Sequence, residues 1–343
     1  MTESNDGLTA TGRRRRPTMA DVAAAAGVSK GLVSMILSGA PGPSAATTER
    51  VLAIAGQLGY RADRTAAMLA RRRTRLIGVT SIPSNVFHGE LVEEIQALAA
   101  AQGYDVVLGS IDGAQDERQA IEMLIGFRCE AILLLGPGSA TEEIVPFAQD
   151  VAIVAVGSPL DVPEIDCIRA DDNAGIHELV DHLVALGHRR IVHIDGAGSA
   201  SDIRRAAYLD AMERHGLSSQ VIAAGGLTEA HGTAAAQQLD LSEVTAVVCF
   251  NDRTALGVLD FLDEAGVAVP GRISVTGYDD SLIARLRRIS LTSVNQSPIE
   301  QARLALEMVV ERLDADRTES RRTVLPAQVV LRGSTGPARG RAG

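Results

Sequence analysis

The 343-residue sequence contains no tryptophan, and aromatic residues make up only 3% of it. This excludes an indole ring from any binding site in the chain. Its three cysteines, Cys129, Cys167 and Cys249, lie far apart in apolar, strand-like segments. An odd, dispersed set does not form a disulfide framework, and small buried thiols are typical of a reducing compartment. We therefore predict buried, unpaired cysteines and a cytoplasmic location.

Long apolar runs are also missing. No run approaches the roughly 18 residues that a membrane-spanning helix needs. The N-terminal stretch ends in Arg13–Arg16 and leads into a polar helical pattern, whereas a signal peptide would continue into an apolar core. We therefore expect a soluble globular protein without a membrane partner.

Catalytic signatures are absent as well. The sequence has no Walker loop and no HExxH, CxxC, GxSxG or GxGxxG motif. The pairs His177/His182 and His188/His193 lack the spacing and the neighbouring carboxylates of a zinc site. We predict no catalytic residue, no metal and no cofactor, so the chain is not expected to be an enzyme.

Charge is abundant but unevenly distributed. Residues 1–75 contain 12 Lys and Arg against 5 Asp and Glu, a net charge of +7, whereas residues 76–343 have a net charge of −17. A basic head on an acidic body favours a head that binds the phosphate backbone of nucleic acid. A basic surface that is merely solvated is the alternative.

Residues 19–37 contain two short helical patterns separated by Gly27. Thr18 and Asp21 have the spacing of a capping box, and Ser29 is placed to cap the second helix. Two helices joined by a glycine-containing turn predict a helix-turn-helix, whose second helix enters the DNA major groove. A hairpin that only builds a core is the alternative. In the second helix we expect Leu32, Val33, Ile36 and Leu37 to face inward and Lys30, Gly31, Ser34 and Met35 to face outward.

A third helix and a linker follow. The third helical pattern starts at Ser44 or Ala46, runs to about Gln57 and ends at Gly59. Residues 61–75 contain helix-forming alanines but no core to hold a helix, which predicts a linker that folds only when docked. The apolar positions of the third helix are Val51, Leu52, Ala55 and Leu58.

The head and linker resemble a known family without a gap. The runs GVSKGLVSMILSG and PSAATTERVLAIAGQLGYRADRTAAMLARRRTRLIG are similar, position for position, to the head of LacI/GalR-family transcriptional regulators. The resemblance implies a hinge helix that orders on operator DNA, with Leu69 wedged into the minor groove and Ala66 at the same base step. Packing of Leu69 on its own domain is the alternative. The predicted DNA-contacting residues are Thr18, Ser29, Lys30, Gly31, Ser34, Met35, Ser44, Thr47, Ala66 and Leu69.

The base-reading positions depart from the family pattern. Met35 stands where arginine or histidine is common, and it offers only apolar contact, for example with a thymine methyl. Lys30 can donate to guanine O6 and N7. Gly31 reads no base itself and costs about 1 kcal/mol of helix propensity relative to alanine.

From residue 76 onward, apolar runs alternate with helical patterns. Continuous apolar strands alternating with helices predict an α/β fold with parallel sheets covered on both faces. Because the pattern extends over about 260 residues, we expect two lobes. The predicted strands are 76–80, 105–109, 131–135, 151–156, 190–194, 245–250 and 272–277, and the predicted helices are 87–102, 116–127, 173–186, 202–215, 252–265 and 298–313.

Residues 76–334 are similar to the effector-binding domain of the same family, which resembles periplasmic sugar-binding proteins. The resemblance implies three crossings between the lobes, near residues 169–171, 293–297 and 323–325. The late helix would return to the first lobe with Ile299, Ala302, Leu306, Val309 and Leu313 inward. The predicted domains are a disordered basic tail (1–16), the helix-turn-helix domain (17–60), the hinge (61–75), the effector-binding and dimerisation domain (76–334; lobe 1 about 76–169 plus 297–323, lobe 2 about 170–293 plus 324–334) and a disordered tail (335–343).

Polar residues follow several predicted strands, where ligands of open α/β sheets bind. Ser84 and Asn85 follow the first strand, and such groups converging on one cleft suit a small polar ligand. The family resemblance implies that Arg204, Asn251 and Asp279 are hydrogen-bonding contacts and that Phe87 lines the apolar side. Without tryptophan, the ring often stacked under a sugar is missing or replaced by Phe or Tyr.

Each candidate also has a structural alternative. Asn251 or Asp252 could be a helix N-cap, and Asp279 could hold a turn. Arg204 could be a surface arginine paired with Asp202 or Asp210.

The resemblance implies a homodimeric transcriptional regulator, most often a repressor, that binds a pseudo-palindromic operator and responds to a small polar ligand, possibly a sugar. A solute-binding protein without a DNA role is the alternative, although it would require a signal sequence and no head. No leucine heptad follows Gly333, which does not favour a four-chain assembly.

Overall fold

The structure, a computed structural model, consists of two compact units, Met1–Thr74 and Arg75–Gly343. It describes residues 17–37, 41–60, 73–112, 116–138, 141–160, 162–315 and 317–338. The predicted tail at residues 1–16 and residues 61–72 of the predicted hinge, with Ala66 and Leu69, lie outside the described residues.

The first unit contains the helices α1 (Met19–Ala26), α2 (Lys30–Leu37) and α3 (Ala45–Leu58). Thr18 caps α1 through the predicted capping box, and Gly27 ends it in the left-handed region at a φ of 64°. The chain bends by 107° between α1 and α2, within the range of a helix-turn-helix. The local sequence signals therefore predict this element correctly.

The core of the first unit is small and apolar. Val22, Val33 and Val51 are fully buried, one from each helix, and the two predicted faces of α2 are confirmed. Leu52, however, is 49% exposed. The helices α1 and α2 contact only the side of α3 that carries Val51 and Ala55, so the predicted apolar stripe is narrower than expected.

The second unit alternates strands and helices, which confirms the predicted α/β fold. In chain order its elements are β1 (Leu76–Ser81), α4 (Val86–Ala101), β2 (Asp105–Ser110), α5 (Glu117–Gly126), β3 (Ala131–Leu135), α6 (Thr141–Ile144), a 3₁₀ turn (Val145–Gln149), β4 (Ala152–Val156), β5 (Asp166–Ala170), α7 (Asp172–Ala185), β6 (Ile191–Asp195), α8 (Ser199–Arg214), β7 (Val221–Ala223), α9 (Glu229–Ala236), β8 (Ala246–Cys249), α10 (Asp252–Glu264), β9 (Ser274–Thr276), β10 (Ser293–Asn295), α11 (Pro298–Asp314), β11 (Arg322–Leu325) and β12 (Gln328–Val330).

Two parallel sheets organise this unit. The first has the strand order β11-β5-β4-β3-β1-β2 and the second β7-β6-β8-β9, while β10 and β12 form a short antiparallel pair. Helices α4 and α11 bury their apolar faces on the first sheet. Alternate residues of β6 and β8 point to opposite faces of the second sheet, where α7 and α8 cover one face and α9 and α10 the other.

The chain passes between the two lobes at three places. It leaves the first sheet after β5 and enters α7, which packs on the second sheet. It returns between β10 and α11, and it leaves again between β11, which pairs with β5, and β12, which pairs with β10. The carboxyl ends of both sheets therefore meet at the cleft that these segments span.

Three details differ from the sequence-based expectations. Ile299 is 63% exposed, because the first turn of α11 buries Pro298 and Gln301 instead. The predicted start of the C-terminal tail at residue 335 needs correction, since the Gly336 N–H donates to Ser274 Oγ and the Ala338 N–H to the Leu186 carbonyl. Strand β5 was not expected, because Asp166 and Arg169 interrupt its apolar pattern.

The cysteines, the apolar helices and the metal-ligating side chains can be compared with the expectations from the sequence. Cys129, Cys167 and Cys249 are buried and unpaired, as predicted. Within the described ranges, no single helix is long and apolar enough to cross a membrane. In the same ranges, no group of three or more His, Cys, Asp and Glu side chains is arranged to hold a metal ion.

Candidate functional site

The outward face of α2 is the first candidate surface. Lys30, Gly31, Ser34 and Met35 are all exposed, and they lie on the side opposite the buried Val33. Lys30 is the single lysine of the sequence. Among the described residues, a Cβ atom added to Gly31 would meet only the Ser29 hydroxyl, at 3.9 Å, so none of them requires glycine there. This face offers one cation, a hydroxyl and a thioether to a partner.

The hydroxyls at the helix starts act first as caps. Ser29 Oγ accepts from the Leu32 N–H at 3.2 Å, and Ser44 Oγ accepts from the Thr47 N–H at 3.3 Å. The Thr18 hydroxyl donates to Asp21 Oδ2 at 2.7 Å. The Ser29 hydroxyl has no acceptor among the residues that the structure describes, so its proton can be donated to an external group such as a phosphate oxygen. The Thr18 proton is already donated to Asp21.

The second candidate site lies at the carboxyl ends of the strands in the second unit. After β1, the half-buried Asn85 caps α4, and its Oδ1 accepts from the Phe87 N–H at 3.1 Å. Ser84 is exposed. Phe87 is 5% exposed and belongs to the core of the first lobe, with its ring 3.5 Å from where a Cβ on Gly157 would lie. These three predicted residues therefore lie together where β1 ends and α4 begins.

Arg204, in α8, lies beside the carboxyl end of β8 in the second lobe. Its Nε donates to Asp172 Oδ1 at 2.8 Å and its Nη1 donates to the Phe250 carbonyl at 2.9 Å. The guanidinium carbon lies 3.7 Å from the centre of the Tyr278 ring. Arg204 is only 4% exposed, so the alternative of a surface arginine paired with Asp202 or Asp210 is wrong.

Asp279 lies close to Arg204, with its Oδ1 3.9 Å from the Arg204 Nη1. The same oxygen accepts from Gln296 Nε2 at 2.7 Å. Burial raises the pKa of Asp279 well above its usual value, and the nearby Arg204 opposes that shift. The backbone of Asp279 has a φ of 107°, a conformation that L-residues rarely adopt and that concentrates at functional sites.

Asn251 and Asp252 begin α10. Asn251 Oδ1 accepts from the Thr254 N–H at 2.8 Å, so the interpretation of Asn251 as an N-cap is correct. Its amide donates to the Leu227 carbonyl at 3.2 Å. Asp252 accepts from the Ser293 hydroxyl at 2.6 Å, and burial raises the pKa of Asp252 to about 6. Both side chains hold the second lobe together beside the cleft.

The two lobes contact each other across the cleft. Arg253, held by Glu229, donates to the Ser84 carbonyl of the first lobe. The Ser199 hydroxyl donates to the Pro137 carbonyl at 3.1 Å. The Leu282 N–H donates to Glu90 Oε1 at 3.2 Å. The cleft is therefore bridged by hydrogen bonds on several sides.

Sequence reasoning missed several residues of this site. Asp172 and Phe250, which hold Arg204, and Gln296, which holds Asp279, come from distant parts of the chain. Asp171 and Asp172 at the start of α7 are a signal in the sequence, but acidic residues are common at the start of any helix. Only the fold brings these groups together.

Comparison with known proteins gives a consistent result. The family described as bacterial regulatory proteins, lacI family, matches residues 18–63, and the periplasmic binding protein-like domain matches residues 180–335. The HTH-type transcriptional regulator GalR of Escherichia coli (strain K12) is 31% identical over 306 residues, which cover 87% of this chain and 89% of GalR.

Two solved structures are similar along nearly the whole chain. The lac repressor dimer bound to operator and the anti-inducer ONPF has a TM-score of 0.80 and 25% identity, covering 94% of this chain and 100% of that one. The complex of the transcriptional regulator CelR with cellobiose has a TM-score of 0.67 and 29% identity, covering 93% of this chain and 100% of that one.

Proposed function

The chain belongs to the lacI family of bacterial regulatory proteins and is a DNA-binding transcriptional regulator. From that premise we propose that it represses transcription by binding a pseudo-palindromic operator as a homodimer. Two-fold symmetry of the protein would then be mirrored in the half-sites of the operator. The similarity to a repressor dimer bound to operator supports this assembly.

The exposed face of α2 is the observation on which the DNA-binding proposal rests most directly. Lys30 would donate to a guanine edge or a phosphate, Ser34 to either, and Met35 would contact a thymine methyl. Gly31 would let the backbone approach the duplex. Thr18, Ser29, Ser44 and Thr47 would lie at the phosphates beside the helix starts, and Ala66 and Leu69 would act in the minor groove.

For the second unit we propose an effector site between lobe 1 (about 76–169 plus 297–323) and lobe 2 (about 170–293 plus 324–334). The effector would lie between the wall of Ser84, Asn85 and Phe87 and the wall of Arg204, Asn251 and Asp279. The strained, buried Asp279 beside Arg204 supports this proposal. The complex of the related regulator CelR with cellobiose favours a sugar.

Control would work through a change in lobe orientation. Residues 61–75 run directly into β1 of the first lobe. A ligand that favours one arrangement of the lobes would therefore change the spacing of the two heads in the dimer. We propose a cytoplasmic protein of this kind, without catalysis, cofactor or membrane attachment.

Selection from a random duplex pool tests the DNA-binding proposal. We expect the full-length protein to enrich a two-fold symmetric site and to run as a dimer by light scattering. Reductive ¹³C-methylation labels only Lys30 and the N-terminal amine, so the Lys30 signal should move on addition of the selected duplex. The Lys30→Arg variant, which lacks that signal, assigns it. No enriched sequence, or an enriched sequence that leaves the signal in place, would contradict the proposal.

A further inference from the structure

Residues 333–338 lie across the second lobe, and we call this segment the C-terminal strap. It runs along β9, where the Val275 N–H donates to the Ser334 carbonyl at 2.9 Å and the Ser334 hydroxyl donates to the Val275 carbonyl at 2.6 Å. Strand β9 is at the edge of the second sheet. The strap therefore satisfies backbone groups that an edge strand otherwise leaves open.

The strap also holds the segment that leads back to the first lobe. The Thr292 N–H donates to Ser334 Oγ at 2.8 Å, and the Ser334 N–H donates to the Ser290 carbonyl at 3.0 Å. Thr292 directly precedes β10, after which the chain crosses to α11. Both Ser334 and Thr292 are buried, so these bonds are shielded from water. Docking of the strap therefore fixes β9 and the start of this crossing together.

Two histidines of the second lobe hold the far half of the strap. His188 Nε2 donates to the Gly336 carbonyl at 3.0 Å, and His182 Nε2 lies 3.1 Å from the Thr335 hydroxyl. A carbonyl only accepts, so the proton of the neutral His188 ring is on Nε2. Its Nδ1 is buried and has no hydrogen-bond partner among the residues that the structure describes. Protonation of the docked ring would therefore bury a second N–H group, and a positive charge, without an acceptor.

The charged groups around the two rings keep both of them neutral near pH 7. Burial lowers the pKa of His188; the bond to Gly336 opposes this shift, and the neighbouring His182 and Arg189 add to it. Burial also lowers the pKa of His182, against the attraction of Glu178, one turn earlier in α7. The strap itself contains only Gly, Ser, Thr, Pro and Ala, so it contributes no titratable side chain.

We propose that the C-terminal strap is a pH-sensitive element, which is docked while His182 and His188 are neutral and is released when they are protonated. In the released state the rings meet water, where histidine binds a proton near pH 6.5. Because the docked rings bind protons less readily, their contribution to docking is fully present above about pH 6.5 and is lost as the pH falls below it. Release would free β9 and Thr292 beside the cleft. This inference concerns the second lobe alone and does not depend on the proposed effector or operator.

Hydrogen exchange of the full-length protein, followed by mass spectrometry, tests the proposal. The N–H groups of Ser334, Gly336 and Ala338 donate within the protein, so docking protects them from exchange. Protection is expressed relative to an unstructured peptide of the same sequence, which removes the intrinsic pH dependence of exchange. We expect protection of the strap to be about threefold to tenfold lower at pH 5.5 than at pH 7.5 for each histidine that titrates. The amides of β6 report global unfolding in the same sample and should lose less.

Substitutions separate release of the strap from general effects of acid. His188→Gln keeps an N–H donor but does not titrate, so its strap should lose less protection at pH 5.5, and the double variant with His182→Gln should lose almost none. If His188→Gln undocks the strap already at pH 7.5, His182→Gln alone serves as the test and should reduce the loss. The control His215→Gln replaces an exposed histidine paired with Asp181 and should keep the full loss. Equal protection at both pH values in the wild type, or an undiminished loss in the variants, overturns the proposal.

Discussion

The polar side chains of the head and of the cleft differ in their exposure to solvent. On α2, Lys30 and Ser34 are exposed. In the cleft, Arg204 and Asp279 are buried and held by protein groups. Exposed cations bind phosphates through salt-sensitive electrostatics, whereas buried ion pairs are only weakly screened. We therefore expect truncation of the exposed Lys30 side chain to change DNA binding with little effect on stability, and truncation of the buried cleft side chains to change stability as well.

Removing Arg204 should have the largest effect. Arg204→Ala leaves the Asp172 carboxylate buried without its cation, and we expect a loss of about 3–5 kcal/mol in the stability of the second unit. Urea unfolding measures it. The control Arg190→Ala removes an exposed partner of Glu243 and should cost less than about 1 kcal/mol. Equal losses of unfolding free energy in the two variants would contradict the view that the buried ion pair of the cleft is stronger than the exposed one.

The pH dependence of stability extends the comparison to histidine. His193 is fully buried, and burial lowers its pKa to about 4 against the pull of Asp195 at 3.8 Å. Because the folded value lies below the unfolded value of about 6.5, its contribution is present above pH 6.5 and is lost as the pH falls towards 4.

At pH 5 the loss from His193 amounts to about 2 kcal/mol relative to pH 7. Replacing it in His193→Phe should flatten the stability profile between pH 7 and pH 5 by that amount. Asp252, with its raised pKa, acts in the opposite direction in both proteins, so the difference between them isolates His193. Parallel profiles would show that His193 titrates normally.

In the head, the charge of Lys30 should contribute to DNA binding and hardly affect the stability of the fold. Lys30→Ala should weaken binding to the selected duplex by about 1–3 kcal/mol, and Lys30→Arg should retain most of it because the charge is kept. Thermal unfolding should be nearly the same for both. A Lys30→Ala variant that binds DNA normally would exclude Lys30 from the interface.

Substitution of Gly31 should have the smallest effect, and it should raise the stability of the head instead of lowering it. None of the residues that the structure describes blocks a methyl group there, so Gly31→Ala should stabilise α2 by roughly 0.5–1 kcal/mol. Hydrogen exchange of the α2 amides measures this gain. Slower exchange together with weaker operator binding would indicate that the glycine serves DNA contact, and faster exchange would refute the expected stabilisation.

Local signals made the head predictable from sequence. Thr18, Gly27 and Ser44 act on residues within a few positions, so their roles as caps and turn are visible in the chain. The apolar runs likewise predict the main parallel strands. Strand β5 escapes prediction because Asp166 and Arg169 break its apolar pattern. Helical spacing places Ile299 inward, but it does not show that the first turn of α11 buries Pro298 and Gln301 instead.

The cleft was only partly predictable, because its contacts are distant in sequence. Arg204 is held by Asp172 and by the Phe250 carbonyl, which lie 32 and 46 positions away. The family resemblance indicates Arg204 as a site residue. It does not indicate that the Nε and Nη1 groups of Arg204 donate to Asp172 and to the Phe250 carbonyl within the protein. Arg204→Ala is therefore expected to lower the stability of the second unit, an effect that the sequence alone does not predict.

The salt dependence of DNA binding tests the central contrast most directly. Fluorescence anisotropy with the selected duplex between 50 and 200 mM salt should give a log–log plot that falls steeply, and Lys30→Ala should reduce its slope by about one. Stability of the second unit should hardly change over the same range. A flat DNA-binding plot would contradict the account, because the basic head would then not bind phosphates.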